Sequence, residues 1–336
     1  MGEPTNRRPA EPLSERVRWA EQTALRLSAY RPTLARRFNL DKMGRTLVLG
    51  VPYFWLLLFF LIPFGIVLKI ALANKALAMP PYEPLLHWVN DRLVGIKLTA
   101  SNFAFVLSDG LYLKAFLHSV QVAAISTVFA LMIAYPLAYA MARARTNWRN
   151  VLLMLVILPF WTSFLLRVYA WIGLLKNNGL INNVLMWLGV INEPIGMLQT
   201  DFAIYIGIVY SYLPFMILPL YTTLEKMDLT LLEAAADLGC RPAKAFFTIT
   251  LPLSMPGVIA GSMLVFIPAI GEFVIPELLG GPNSLMIGKV LWNEFFLNRD
   301  WPVACAVAVG LLLILVVPLM FFQRAHAQQD EKAARA

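Results

Sequence analysis

The chain has 336 residues, of which 59% are hydrophobic and only 14% are charged, and its mean hydropathy is +0.66. Soluble domains carry about 25% charged residues, so the composition excludes an ordinary soluble protein and predicts an all-α protein that crosses the lipid bilayer several times. The net charge of +8 is spread over loops and tails between apolar runs, so it does not indicate binding to nucleic acid. Two cysteines, Cys240 and Cys305, are too few for a disulfide framework.

The N-terminal residues 1–46 form a polar, basic tail with ten basic and five acidic side chains. Residues 14–29 fit either a basic amphipathic helix on the membrane surface or a disordered tail, and the sequence leaves both open. A cleavable signal peptide is not expected, because the first apolar run begins too late and is too long.

Six apolar runs follow the tail, and each is near the length of about 20 residues that a helix needs to cross the hydrocarbon core. Because no water is present there, the backbone groups of each run must bond within a helix. Several runs contain proline, and kinked helices suit a bundle that lines a cavity. The predicted transmembrane helices are 47–73, 117–141, 151–174, 202–222, 256–279 and 303–322.

The distribution of Lys and Arg predicts the orientation of these helices. If the N-terminus lies inside, 19 of the 28 basic residues fall in the inner segments, seven in the outer loops and two within the apolar runs. Because Lys and Arg favour the cytoplasmic side, both termini, including the tail 323–336, and the loop 223–255 are predicted to be cytoplasmic. The loops 74–116, 175–201 and 280–302 then face outward, where each is long enough to meet a partner.

The loop 223–255 begins with the pattern of a short helix. Thr230 and Glu233 have the spacing of a capping box, which predicts the start of the helix, and Gly239 is placed to end it. A helix of about nine residues is marginal in water, so we expect it to dock on another protein. The flat docking surface is predicted to consist of Ala234, Ala235 and Ala236.

The rest of this loop is rich in proline. Pro242 is placed to open a second short helix. Pro252 and Pro256 are predicted to break the chain before the fifth apolar run begins.

The sequence lacks the signatures of common catalytic and metal sites. It contains no P-loop for ATP, no nucleophile elbow, and three scattered histidines without metal-ligand spacing. We therefore expect no catalysis, cofactor or metal in this chain. Of four charged residues within the apolar runs, Lys69 is expected to snorkel and Glu277 to reach the outer interface. The other two, Arg167 and Glu272, are candidates for function at membrane depth.

A motif in the loop 223–255 resembles the EAA loop of ABC importer permeases, whose pattern is EAA-x3-G-x9-I-x-L-P. The resemblance covers about 117–322 and implies the type I importer (MetI-like) fold of six transmembrane helices. The matching positions are Glu233, Ala234, Ala235, Gly239, Ile249, Leu251 and Pro252.

In that family the EAA loop forms the coupling helix, which seats in a groove of the nucleotide-binding subunit. The resemblance implies a bacterial inner-membrane complex of two permease subunits and two ATP-binding subunits, which hold ATP and Mg, served by a periplasmic substrate-binding protein. It implies that the coupling residues are Glu233, Ala234, Ala235, Gly239, Arg241, Leu251 and Pro252.

Three later segments narrow the resemblance. The segments 271–282 (GEFVIPELLGGP), 288–292 (GKVLW) and 298–302 (NRDWP) look like the polyamine permeases, and most like the first permease subunit of putrescine-type systems. This implies ATP-driven import of putrescine or spermidine by alternating access. Import of another small solute, such as an amino acid, iron or an anion, stays open.

Glu272 is the leading candidate for the substrate path. A carboxylate deep in an apolar run is costly and indicates function by default, and a diamine cation would favour it together with aromatic faces. Phe273, Tyr210 and Trp161 are candidates for those faces, and Arg167 also lies at this depth. The alternative is a structural ion pair between Glu272 and Arg167, and a gate can be such a pair.

A secondary transporter driven by an ion gradient is the rival from another class. Such transporters often show internal repeats and broken helices, but the sequence contains no convincing repeat, and six runs are few. A membrane scaffold that transports nothing would have no need of an EAA loop.

Overall fold

The computed structural model describes residues 40–89 and 92–335, most of which are helical, so residues 14–29 of the tail lie outside the described residues. The helices are α1 Leu40–Leu56, α2 Ile62–Ala71, α3 Ser101–Ser108, α4 Gly110–Arg143, α5 Thr146–Ile157, α6 Phe164–Leu175, α7 Leu180–Trp187, α8 Asp201–Glu225, α9 Thr230–Asp237, α10 Pro242–Ala245, α11 Leu251–Ile270, α12 Val274–Leu278, α13 Ile287–Trp292 and α14 Trp301–Arg335. Shorter elements are the π turns Leu57–Leu61, Phe246–Thr250 and Asn293–Leu297, the 3-10 turn Leu158–Trp161, and the strands β1 Leu86–Val89 and β2 Arg92–Ile96.

The described residues fall into two units, one up to Ile66 and one from Val67 onward. In the first unit, α1 and the π turn after it carry an apolar surface on which Leu47, Phe54 and Phe60 are each more than half exposed. Apolar side chains exposed along a helix of this length suit lipid as the solvent.

The core of the second unit is formed by α4, α8 and α11. Ala130, Ala134 and Ala138 lie four residues apart on α4 and are fully buried in one cluster with Met216 and Leu220 of α8. Small residues at this spacing let two helix backbones approach closely, which matters because lipid supplies no hydrophobic drive between helices.

Two glycines bring α11 against α8. A Cβ added at Gly257 would lie 2.6 Å from the Thr223 hydroxyl oxygen and 2.8 Å from the Pro219 carbonyl oxygen. A Cβ added at Gly261 would lie 2.8 Å from the Met216 sulfur. The glycines are four residues apart, the spacing of small residues at close helix contacts in membranes, and no larger side chain fits without a shift.

The structure corrects the single predicted helix 151–174. α5 is followed by the 3-10 turn, by extended backbone at Thr162 and then by α6, and the parts before and after the break meet at 92°. Pro159 in the turn has no N–H to continue the helix. Among the described residues, four helices are long and apolar enough to cross a membrane, or five if the bent pair counts as one span. The sixth stays a prediction.

The fifth predicted helix, 256–279, also has other bounds. α10, the π turn and α11 form one helix of 29 residues that ends at Ile270, so Pro252 and Pro256 do not break the chain as predicted. Pro252 lacks the N–H that would bond the Thr248 carbonyl four residues earlier. The π turn lies just before it, where a wider turn accommodates the missing bond.

The other predicted helices differ from the structure mainly at their ends. α4 and α8 cover 117–141 and 202–222 and extend beyond both, and α14 continues to Arg335 through most of the predicted tail 323–336. The described chain also departs from an all-α fold at β1 and β2, an antiparallel pair within the loop 74–116.

We predict that Gly257→Ala and Gly261→Ala each lower the melting temperature of the purified protein. The added methyl overlaps α8, and overpacking of this kind costs about 1–3 kcal/mol. Gly173→Ala on α6 is the matched control, because an added Cβ there meets nothing within 4 Å. Thermal unfolding in detergent measures the effect, and equal melting temperatures for all three variants would contradict the close contact.

Candidate functional site

The start of α9 is fixed by Asp228 rather than by a capping box. The Asp228 carboxylate accepts a hydrogen bond from the Thr230 backbone N–H at 3.0 Å, and the N–H groups of Leu232 and Glu233 donate to the Leu229 carbonyl. The predicted pairing of Thr230 with Glu233 is therefore wrong. Asp228 is itself a residue type that favours helix starts, so this signal was present in the sequence.

The end of α9 is a Schellman motif at Gly239, as its position predicted. Gly239 has a φ of +74°, its N–H donates to the Ala236 carbonyl at 2.8 Å, and the Cys240 N–H donates to the Ala235 carbonyl at 2.9 Å. These bonds satisfy carbonyls that would otherwise be free at a helix end. The turn fixes the direction in which α10 leaves α9.

The exposed surface of α9 is not the predicted row of three alanines. Ala235 is buried within the chain, whereas Ala234 and Glu233 are exposed. Two large apolar side chains are also exposed, Leu231 at 45% and Leu238 at 88%. The exposed part of α9 and its C-terminal turn thus combines apolar side chains with two carboxylates, those of Glu233 and Asp237.

α9 is seated on the transmembrane helices around a cavity of about 180 Å³. Tyr139 of α4 lines this cavity together with Leu232, Ala236 and Phe246. The Arg143 guanidinium lies over the Tyr139 ring, 5.2 Å from its centroid. α9 and α4 thus line the same cavity.

The remaining EAA positions lie where α9 passes into the long helix. Arg241 is exposed, and its carbonyl accepts the Ala245 N–H at 3.0 Å, which starts α10. Leu251 and Pro252 lie in the first turn of α11, directly after the π turn.

Glu272 lies at the break between α11 and α12, and only 8% of it is exposed. One carboxylate oxygen accepts the backbone N–H groups of Phe273, Val274 and Ile275 at 3.2, 3.0 and 3.4 Å. The other accepts the Tyr212 hydroxyl of α8 at 2.5 Å. One side chain thus caps α12 and ties it to α8.

This geometry gives Glu272 a structural role that the sequence did not reveal. Four protein donors already satisfy its two oxygens, so a cation on the substrate path would have to compete with them. The alternative of an ion pair with Arg167 is not formed among the described side chains. A contact between Glu272 and cargo stays a prediction.

Arg167 lies on α6 between two aromatic rings. Its Cζ atom is 5.4 Å from the ring centroid of Phe160 and 5.7 Å from that of Phe164. Phe160 in turn packs edge-on against Phe215 of α8, with 5.1 Å between the centroids. The Nε and Nη1 atoms of Arg167 are buried and have no hydrogen-bond partner among the described residues.

The predicted path residues have different neighbours among the described residues. Tyr210 packs edge-on against Trp171 at a cavity of about 620 Å³ with an almost wholly apolar lining. Trp161 is 82% exposed, and Phe273 stacks on Trp292 of α13, with 4.3 Å between the centroids. The other aromatic residues of the cavity are Phe129, Phe202 and Tyr205.

Polar contacts also join the helices at the end of the bundle opposite α9. The predicted outward-facing Glu277 forms an ion pair with Lys289 at 3.2 Å. His118 of α4 faces the Asp201 carboxylate at 3.5 Å, and Ser284 donates to the other oxygen of Asp201 at 2.6 Å. These contacts hold the segment after α12 against α4 and α8.

Comparisons with known proteins place the chain in a family. Residues 134–328 match the family described as binding-protein-dependent transport system inner membrane component. The chain is also 36% identical over 286 residues to the spermidine/putrescine transport system permease protein PotB of Haemophilus influenzae, covering 85% of this chain and 95% of that protein. The chain belongs to this family of transport components.

Two further relatives of this transport component come from Escherichia coli. PotB of strain K12 is 41% identical over 239 residues, covering 71% of this chain and 86% of that protein. The inner membrane ABC transporter permease protein YdcU is 31% identical over 245 residues, covering 69% of this chain and 77% of that protein. A crystal structure of a bacterial ABC transporter involved in the import of alginate matches with a TM-score of 0.63 at 16% identity, covering 88% of this chain and 99% of that chain. This match supports the fold alone.

We predict that Tyr212→Phe destabilises this transport component, because it leaves one buried oxygen of Glu272 without a donor, at a cost of about 1–3 kcal/mol. Glu272→Gln keeps an oxygen for the N–H groups of α12 and should cost less than Glu272→Ala, which removes the cap entirely. Thermal unfolding of the purified protein measures the order. Tyr169→Phe, at an exposed tyrosine of α6, is the control. If Tyr212→Phe has the same melting temperature as this control, the hydrogen bond from Tyr212 to Glu272 does not stabilise the protein.

Proposed function

We propose that this chain is the permease subunit of an ATP-driven, binding-protein-dependent importer, and that its cargo is a polyamine such as putrescine or spermidine. The observation that carries the proposal is the α9 segment, a short helix with an exposed apolar face and capped ends, in a member of an inner-membrane transport family. The PotB relatives are named for spermidine and putrescine transport, and they support the choice of cargo.

The proposed partners are those of a complete importer. A second permease subunit completes the membrane pathway, two ATP-binding subunits bind ATP and Mg, and a periplasmic substrate-binding protein delivers cargo. Both termini and α9 face the cytoplasm of the bacterial cell, as the excess of basic residues in those segments supports. This chain performs no chemistry on its cargo.

Coupling follows from the continuity of the long helix. When ATP closes the two ATP-binding subunits, they move α9, and the Gly239 turn passes the movement to α10. The helix from α10 to α11 has 29 residues and is about 43 Å long. Because Gly257 and Gly261 hold α11 against α8, these two helices move as one body.

The far end of this body is held by Glu272. Its carboxylate joins α12 to Tyr212 of α8, so a movement that starts at α9 also carries α12. Rotation of this body against the neighbouring subunit opens the cavity to one side of the membrane or to the other, which is alternating access.

Aromatic side chains supply the cation sites for the cargo in this proposal. An ammonium group is attracted to the face of Trp or Tyr, and more strongly where water is excluded. Tyr210 and Trp171 offer such faces in the apolar cavity beside α8. The predicted path through Glu272, Phe273 and Trp161 stays part of the proposal.

Reconstituted transport tests the proposed function. The complex of both permeases and the ATPase, placed in proteoliposomes with its binding protein, should take up labelled putrescine or spermidine only when ATP is present. Collapse of the proton gradient should leave uptake unchanged, and an amino acid and phosphate are the control solutes. Uptake that follows the proton gradient and ignores ATP would reject an ABC importer in favour of a secondary transporter.

A change at Gly239 tests the coupling. We predict that Gly239→Val strongly lowers ATP-dependent uptake, because the left-handed backbone conformation at this position costs about 1–2 kcal/mol for a residue with a Cβ atom. Gly239→Asn should stay near the wild-type rate, because asparagine adopts this conformation more readily. An added Cβ meets nothing within 4 Å at this position, so the comparison isolates the backbone. Equal uptake by both variants at equal membrane levels would reject the role of the turn.

A further inference from the structure

Arg167 carries a guanidinium group whose hydrogen-bonding needs the described chain leaves unmet. Its Nε and Nη1 atoms are both buried without a partner among the described residues. The rings of Phe160 and Phe164 attract the cation through their faces. They offer no lone pair to its N–H groups, and native structures rarely leave buried donors of this kind unpaired.

The depth of Arg167 excludes the usual surface partners. Its neighbour Phe160 contacts Phe215, the fifteenth residue of α8, which spans Asp201–Glu225. At 1.5 Å per residue, Phe215 lies about 21 Å from one end of α8 and about 15 Å from the other. The guanidinium thus lies beside a ring that packs against the middle of a spanning helix, where contact with lipid phosphates is not expected.

The acidic side chains within the apolar runs of this chain are already engaged. Glu272 accepts four hydrogen bonds, and Glu277 pairs with Lys289. Residues 47–66 of the first unit contain no acidic residue. A polyamine is itself a cation and would be repelled by Arg167. The described residues thus offer no free carboxylate at this depth for the two buried N–H groups, and a carboxylate of another protein chain would supply the acceptor.

The surface around Arg167 fits contact with another protein. Trp161, Leu166 and Tyr169 are exposed at 82%, 66% and 55%, so large apolar side chains accompany the guanidinium near the break and along α6. Tryptophan, tyrosine and arginine are the residue types that contribute most to protein interfaces. Arginine is also preferred for ion pairs at interfaces, because its guanidinium is weakly hydrated and always charged.

We propose that Arg167 forms an ion pair with a carboxylate of the second permease subunit, at the interface between the two permeases. The inference rests on the proposed function, because it requires a second permease. The pair satisfies the two buried N–H groups and removes a positive charge that would oppose a cationic cargo. Arg167 is then an assembly residue rather than a binding residue for cargo.

Co-purification from the whole complex tests the pair. Both permeases and the ATPase are produced together and purified through a tag on this chain, without added substrate. Arg167→Met keeps a long, unbranched side chain but removes the charge. Recovery of the second permease should therefore fall by about tenfold. Arg167→Lys keeps the charge, so more of the second permease should be recovered than with Arg167→Met. Lys114→Met, at an exposed cation on α4, is the control and should change nothing.

Two outcomes overturn the proposal when the same variants are also assayed for transport in proteoliposomes. Full recovery of the second permease with a changed apparent affinity for the transported solute would show that Arg167 faces cargo. Full recovery with unchanged transport would show that its charge has no partner in the complex. Because co-purification is measured without substrate, an importer for another solute would overturn the proposed cargo and leave this inference standing.

A charge exchange separates loss of the pair from misfolding. Arg167→Glu in this chain is combined, one position at a time, with arginine in place of each acidic residue in the apolar runs of the second permease. One combination should restore co-purification, because it rebuilds the pair with its charges reversed. Failure of every combination would overturn the proposal.

Discussion

The contact of α11 with α8 at Gly257 and Gly261 is the constraint on which the rest of the second unit depends. Lipid gives two apolar helices no reason to associate, so close packing of backbone on backbone must hold them together. The glycines bring α11 within van der Waals contact of Pro219 and Met216. Because α11 is continuous with α10, this contact also fixes where the α9 segment lies at one end and where Glu272 lies at the other.

Proline shows how far the sequence could predict this fold. The apolar runs predicted the main spans, but individual prolines within them had opposite effects on the helices. Pro159 lies at a real break, since the backbone becomes extended at Thr162, whereas Pro252 lies inside a continuous helix behind a π turn. A helix can tolerate a freed carbonyl where a neighbouring turn changes its width, as the π turn Phe246–Thr250 does just before Pro252. Such compensation depends on neighbouring turns that a proline position alone does not reveal.

The candidate site divides in the same way into local and tertiary parts. The end of α9 could be predicted, because a Schellman motif needs only Gly239 and the turn before it. The partners of Glu272 could not, because three of its donors become available only where α11 ends and the fourth comes from Tyr212, 60 residues earlier. An acidic residue in an apolar run predicts that some partner exists, and only the fold decides which one.

The two charged residues Glu272 and Arg167 therefore differ in how far the described chain supplies their hydrogen-bond partners. A row of aromatic rings lies between them, from Tyr212 at Glu272, through Phe215 and Phe160, to Arg167. At one end of the row the charge is fully satisfied by its own chain, and at the other end two donors have no acceptor within the described residues. Buried N–H groups without an acceptor are costly, so the described part of the chain leaves the hydrogen bonding of this partly buried guanidinium incomplete. Assembly then provides what folding alone does not, which links the stability of the membrane pathway to the presence of its other half.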